Sequence, residues 1–529
     1  MQNVGYAEEI PAHVSDKRCF NFIKEQAATC LSQHKCGEDR PLPLLPDRVI
    51  RIEGNNASRM RLWEPKGVRA PFIALSYCWG PVDANTFLTN TQTFEARRGG
   101  MELKDLPSLF QDVVKIASAL GIEYIWIDRL CIIQGDDQDF RSQAPKMGEI
   151  YGNATLTIAA ASATSENDHI MVQRDRKWLP FSLNMHINGM DFGELRCRRL
   201  SHALGKEESG GNYGKISSRA WTWQERLLAA RTVFFTDAAL KFECRCHSVW
   251  EGRGKDLSGP SWSAQLDNMT PVAWRGLVEE FTARDITRPS DRLPAMDAVM
   301  KRIEKSTGWS SFWGLWTNAF AEGLVWQPDT PEYSGKRACR MNQGHYAPTW
   351  SWASIDGPIS YISARPSPVD ATDPMRWDPE CQSLNETSGL ISVTGRYLII
   401  DLHVTVEPKE MYKDSPSDEE RLKYTYAIKD ASGKDFTVKP DVALKRWSGN
   451  IVGEDVSTPI RVPYGETPPE QSWTAPCACL LVGEGKRRSH VLILGLSLRE
   501  PGSFERLGLV TGISPVTFSK IQRRTIQIA

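Results

Sequence analysis

Three short apolar runs separated by two helical patterns constrain this chain more than any other feature. Phe72-Ile73-Ala74-Leu75-Ser76-Tyr77-Cys78-Trp79 is stopped by Gly80-Pro81. An apolar run without alternation reads as a strand buried on both faces. Leu109, Val113, Ile116 and Leu120 then recur at helical spacing, with Pro107 suited to the first turn and Gly121 to the C-terminal cap. Ile122 to Ile127 is a second buried-strand candidate, Ala144 to Tyr151 a second helix, and Ala154 to Ala161 a third strand. Strand, helix, strand, helix, strand implies right-handed crossovers and a parallel sheet, in which ligands sit beyond the carboxyl ends of the strands. Those ends carry Trp79-Gly80 and Asp128-Arg129-Leu130-Cys131.

At 529 residues the chain exceeds what one hydrophobic core organises, so further units are expected around this α/β core. Residues 1–46 read as a lead-in with a helix. Residues 47–260 hold the core, with an edge hairpin around Gly54-Asn55 and a later helix and strand (Trp221 to Ala230, Thr232 to Thr236). A helical and linking segment follows over 261–388, and strand patterns over 389–529 predict a β-rich C-terminal module.

The charges balance, 64 Lys+Arg against 65 Asp+Glu, so no global field steers the protein to nucleic acid or to an anionic membrane, and neither partner is expected. No stretch approaches the ~18 apolar residues of a membrane span and no basic leader opens the chain, which predicts a cytoplasmic address. Cys244-X-Cys246-His247 and Cys477-X-Cys479 have residue types that bind zinc, but the single-residue gaps and their distance in sequence favour buried thiols. No metal site is expected. A Walker loop and a dinucleotide Gly-X-Gly-X-X-Gly are both missing, so a nucleotide would bind in another way.

Five blocks in order are similar to the heterokaryon-incompatibility (HET) domain of filamentous fungi. They are Ala74 to Gly80; Leu106-Pro107 through Asp112 and Leu120-Gly121; Trp126-Ile127-Asp128-Arg129-Leu130-Cys131-Ile132-Ile133-Gln134; Met147 to Ala154; and Arg219-Ala220-Trp221-Thr222-Trp223-Gln224-Glu225-Arg226-Leu227-Leu228. The resemblance implies allorecognition: a cell-death effector acting when unlike fungal cells fuse, with a protein partner of the incompatibility or assembly type. It also implies a fold similar to Toll/interleukin-receptor (TIR) domains, some of which cleave NAD, so NAD or nucleotide chemistry follows by analogy of fold alone. A small-molecule enzyme or accessory protein of a specialised-metabolite pathway, and a non-catalytic scaffold, stay open beside the effector. One departure stands out: the family's acidic residue four positions after its Asp-aromatic pair is Gln143 here, after Asp139-Phe140, and Glu149 on the same predicted helix is the candidate stand-in.

Asp128 leads the candidate catalytic residues, because a carboxylate ending a buried strand can bind a ribose hydroxyl or orient a base. Its competing reading is a turn cap or an ion pair with Arg129 or Arg219. Glu225, close in sequence to Arg219 and Arg226, is expected in its charged form, in an electrostatic or nucleophilic role, or as half of a structural Arg/Glu pair. Ser76, Tyr77, Trp79, Gly80, Arg219 and Trp221 are the candidate binding residues, with core packing the competing reading for the tryptophans. With no nucleophile elbow and His169 as the only histidine near Ser76 in sequence, a hydrolase triad is not expected.

Overall fold

The computed structural model describes residues 9–34, 36, 42–54, 57–81, 83, 86–187, 190–198, 214–252, 262–329, 339–340, 347–362, 375–408, 422–430, 432–442, 444, 471–486, 488–497 and 500–529. They form two compact units. The first comprises Met1–Asn268 with Arg284–Ile286 and Pro294–Ser306, the second Met269–Ala283, Thr287–Leu293 and Thr307–Ala529.

In the first unit, α1 (Lys17–Gln33) is capped by Asp16, whose side chain accepts from the Arg18 amide. There follow β1 (Val49–Glu53), β2 (Arg59–Trp63), β3 (Phe72–Ser76), α2 (Phe94–Gly99), β4 (Met101–Glu102), α3 (Ser108–Leu120), β5 (Tyr124–Trp126), α4 (Asp128–Cys131), α5 (Asp137–Gln143), α6 (Met147–Asn153) and β6 (Leu156–Ala159). A small sheet of β7 (Phe181–Ile187) and β8 (Met190–Cys197) precedes α7 (Ala220–Leu228), β9 (Arg231–Phe235), β10 (Leu240–Cys244) and β11 (Ser248–Trp250). As the cap residues foretell, α3 begins after Pro107 and ends at Gly121, whose φ of 74° lets its amide reach the carbonyls of Ala117 and Ser118.

The main sheet runs β11-β10-β9-β6-β3-β5-β1-β2-β4. Its centre, β5-β3-β6-β9, is parallel, as the alternation of strands and helices predicts. The sheet as a whole is not: β1, β2 and β4 on one side and β10 and β11 on the other pair antiparallel. For β1 with β2, β9 with β10 and β10 with β11 the reason is connection length. The links 54–58, 236–239 and 245–247 admit a hairpin and not a crossover. Within the hairpin of β1 and β2, Gly54 takes a φ of 78°, while Asn55 lies outside the described residues. In sequence order the parallel strands are β3, β5, β6 and β9, so winding reverses between β3 and β6. That reversal marks the crevice in which ligands bind in open α/β sheets.

Helical structure in the second unit is concentrated early, at Pro271–Thr282, and short strands and turns succeed it. Three fully buried tryptophans here have their indole N–H groups satisfied: Trp326 donates to Trp350 O, Trp350 to Gly389 O, and Trp352 to Gly314 O, whereas the indole nitrogens of Trp316 and Trp473 are buried without a partner. Beyond residue 389 the expected β-rich structure is a closed ring. Ile391–Pro408 pairs with Leu422–Lys429 and with Trp473–Glu484, and Asp435–Pro440, Phe504–Ile513 and Ser489–Leu496 complete the circuit. Arg523–Ile528 bridges Ile391–Pro408 and Phe504–Ile513.

Arg506 ties this unit together. Its fully buried guanidinium pairs with Asp441 at 2.9 Å, donates to Leu324 O at 2.7 Å, and stacks 3.5 Å from the centre of the Trp326 ring. Removing one member of such a pair strands the other charge, at a cost of about 3–5 kcal/mol. Asp441→Ala is therefore expected to lower the stability of the second unit by about that amount, which chemical denaturation followed by tryptophan fluorescence will register.

Candidate functional site

The candidate residues converge at the carboxyl end of β3. Ser76 is its last residue and is buried, as is Tyr77. Arg219, the residue before α7, donates from Nη1 to Tyr77 O at 2.7 Å, which ties the start of α7 to the end of the strand. Trp79 is half-buried and donates from Nε1 to Asp128 Oδ2 at 2.7 Å. The other oxygen of Asp128 accepts from the Arg129 amide at 2.6 Å, and the Arg129 side chain pairs with buried Glu166 while lying over the Trp79 ring at 4.5 Å. Gly80 turns the chain away at a φ of 73°, and a Cβ there would come within 2.6 Å of Ser165 Cβ, so only glycine fits.

Glu225 closes the group from α7. It lies on the buried face of that helix, 4% exposed, with Ser76, Tyr151 and Asp128 acting on it. Burial outweighs the hydrogen bond from Ser76 and the attraction of Arg219, and pushes the carboxyl up to about 7. Its Oε2 is buried without a hydrogen-bond partner. Burial also raises Asp128, against the opposing hydrogen bond from Trp79 and the charge of Arg219. Tyr151 donates to Leu75 O at 2.9 Å, and the Tyr77 hydroxyl is buried without a partner.

The charged Glu225 expected from its arginine neighbours is thus corrected. Adjacent residues on a helix do not face one another. Arg226 turns to Glu243, with bonds of 3.0 and 2.8 Å, and Arg219 directs Nη1 at a carbonyl. The raised pKa makes Glu225 a group able to give and take a proton near neutrality.

The structure brings together Ser76, Tyr77, Trp79, Asp128, Arg219 and Glu225, with Gly80 turning the chain beside them. Trp221 is half-buried against the hydrophobic core of the unit. Glu149 does not join them: it is exposed on α6, whose buried face presents Met147, Ile150 and Tyr151 instead. Gln143 is held at Asp47 by a 3.0 Å bond from Nε2. His169 is engaged by Asp112, 3.0 Å from its Nδ1. Sequence reasoning missed Tyr151, which sits in a motif read only as helix, and Glu166, which carries no motif at all. A narrow cleft lined by Ser76, Thr157, Ile216, Thr222, Trp223 and Arg226 opens beside the group. No helix among the described residues is long and apolar enough to cross a membrane.

These features define a mixed α/β domain with a buried acidic cluster at the switch point of its parallel strands. Residues 72–225, from the start of β3 to Glu225 itself, match the family model described as heterokaryon incompatibility protein (HET), so the chain carries a HET domain. No curated protein and no solved structure matches the chain.

Because folding raises the pKa of Glu225, the folded protein keeps this proton between about pH 5 and 7 while the unfolded chain releases it. The resulting stability is complete below the unfolded pKa and is lost as pH rises to about 7, in all on the order of 3 kcal/mol. Glu225→Gln, which cannot ionise, is expected to flatten that slope and to be more stable than the wild type at pH 8. Thermal unfolding of both proteins from pH 5 to 8 measures the difference; parallel curves would contradict it.

Proposed function

We propose that this protein is a cytoplasmic effector of fungal self/non-self recognition that promotes cell death by hydrolysing a nicotinamide nucleotide, with Glu225 and Asp128 as its working carboxyls. The observation that carries the reading is Glu225, a buried carboxyl titrating near 7 with one oxygen unpartnered, beside the end of the central strand. The strand order of the parallel centre, doubly wound with its switch point between β3 and β6, supports it.

In the proposed reaction water adds to the ribose carbon of NAD that bears nicotinamide. The C–N bond breaks, nicotinamide leaves with the bonding electron pair, and the proton from water passes to Glu225 in its ionised form and then to solvent. Asp128, fixed by Trp79 and the Arg129 amide, accepts from ribose hydroxyls. Trp79 offers a ring face next to that carboxylate. The cleft beside Ser76 is narrow, so substrate entry requires displacement of its lining side chains. A protein partner that assembles or releases the domain would supply that control.

The test is inducible expression in a fungal host of wild type, Asp128→Ala and Glu225→Gln, following growth and cellular NAD together. The wild type is expected to arrest growth and deplete NAD, and each variant to lose both effects by tenfold or more. Arrest that persists in both variants, or occurs at constant NAD, refutes the proposal.

A further inference from the structure

Near the amino end of β9, where Cys244 pairs with Arg231, four residues with metal-ligand chemistry meet. Cys30 and His34, four positions apart, share one face of the C-terminal end of α1, with His34 as its C-cap. Cys36 lies two positions beyond His34, and Cys244 arrives at the end of β10. Cys30, Cys36 and Cys244 are buried and His34 is half-buried. The donor atoms of the four all lie within 4.8 Å of one another, and Cys244 Sγ is 3.4 Å from His34 Nδ1. In tetrahedral zinc, bonds of about 2.3 Å to sulfur and 2.0–2.1 Å to nitrogen put neighbouring ligand atoms roughly 3.5–3.8 Å apart, so the cluster needs little adjustment to close on an ion.

We propose that Cys30, His34, Cys36 and Cys244 bind a structural zinc ion that fastens α1 to the edge of the main sheet.

Second-sphere features fit that assignment. Three thiolates and one neutral imidazole around Zn2+ carry a single net negative charge, and buried Arg231 places Nε 3.2 Å from Cys30 Sγ, where it compensates that charge and donates to the sulfur. Four protein ligands complete the coordination sphere and leave no open position, which marks a structural site and not a catalytic one. The ion would join residue 36 to residue 244, closing a long stretch of chain, and its binding energy would count directly toward folding.

Cys246 and His247 flank the cluster without belonging to it. Cys246 Sγ is 3.3 Å from Cys36 Sγ and exposed, and His247 Nδ1 is 3.5 Å from Cys244 Sγ. They set the alternative, a disulfide between Cys36 and Cys246, which would bring those sulfurs to about 2.05 Å and remove a ligand.

The test is elemental analysis and thiol titration of the full chain purified without chelator, with cobalt substitution of the wild type. The expected results are about one zinc per chain, retained in Cys246→Ser and lost in Cys244→Ser and His34→Ala. Cobalt is expected to give the ligand-field and thiolate charge-transfer bands of a tetrahedral site. Zinc far below one per chain with two thiols lost to oxidation would overturn the proposal. So would octahedral cobalt spectra, or metal that survives in both Cys244→Ser and His34→Ala. The wild-type cobalt spectrum keeps the question decidable even where a variant fails to fold.

Discussion

Strand β3 pairs with β5 on one edge and β6 on the other, and every one of its side chains is buried. That double pairing fixes the position of everything that follows it in the chain. Because Ser76 ends the strand in register with Ala159 of β6, Tyr77 and Trp79 emerge above the sheet at the point where winding reverses. Asp128 reaches the same level from β5, its neighbour on the other side. A one-residue slip of β3 would invert the faces of all its side chains and dissolve the cluster, which is why so short a strand needs two partners to specify it.

The acidic cluster shows how burial and charge compete. Arg219, Arg226 and Arg129 all lie close to Glu225 or Asp128 in sequence or space, yet each guanidinium has a partner elsewhere: Tyr77 O, Glu243 and Glu166. Arg219 still attracts both carboxyls, but it does not bond them and desolvation outweighs it. The result is a pair of acids whose proton affinity is raised inside a region dense with arginine, an outcome decided by burial and not by composition.

Much of this was legible in the sequence, for identifiable reasons. The buried parallel strands announced themselves as unbroken apolar runs, α3 by its spacing and terminal Pro and Gly, and Asp128 by its place after a strand. Glu225 was legible as a candidate but not in its charge state, because that depends on which way Arg219 and Arg226 point. The hairpin of β1 and β2 was legible from its turn at Gly54, whereas β10 and β11 escaped notice, although Leu240-Lys241-Phe242-Glu243-Cys244 alternates apolar and polar residues. Cys244 could be seen beside Cys246 and His247, but not beside Cys30, His34 and Cys36, because contact between positions so distant along the chain leaves no local trace. Closure of the C-terminal strands into a ring is likewise a property of pairing that no single strand displays.

That closed ring limits how copies of this chain can stick together. A sheet with open sides invites further strands to add to it, whereas six strands joined in a circuit pair with one another and, outside it, with Arg376–Trp377, Glu380–Leu384 and Arg523–Ile528. In the α/β unit the outermost strands, Met101–Glu102 and Ser248–Trp250, are too short to template a newcomer. Among the described residues the longer open edges are those of the two-stranded sheet, Phe181–Ile187 and Met190–Cys197, and of Glu380–Leu384, so growth by strand addition would have to start there.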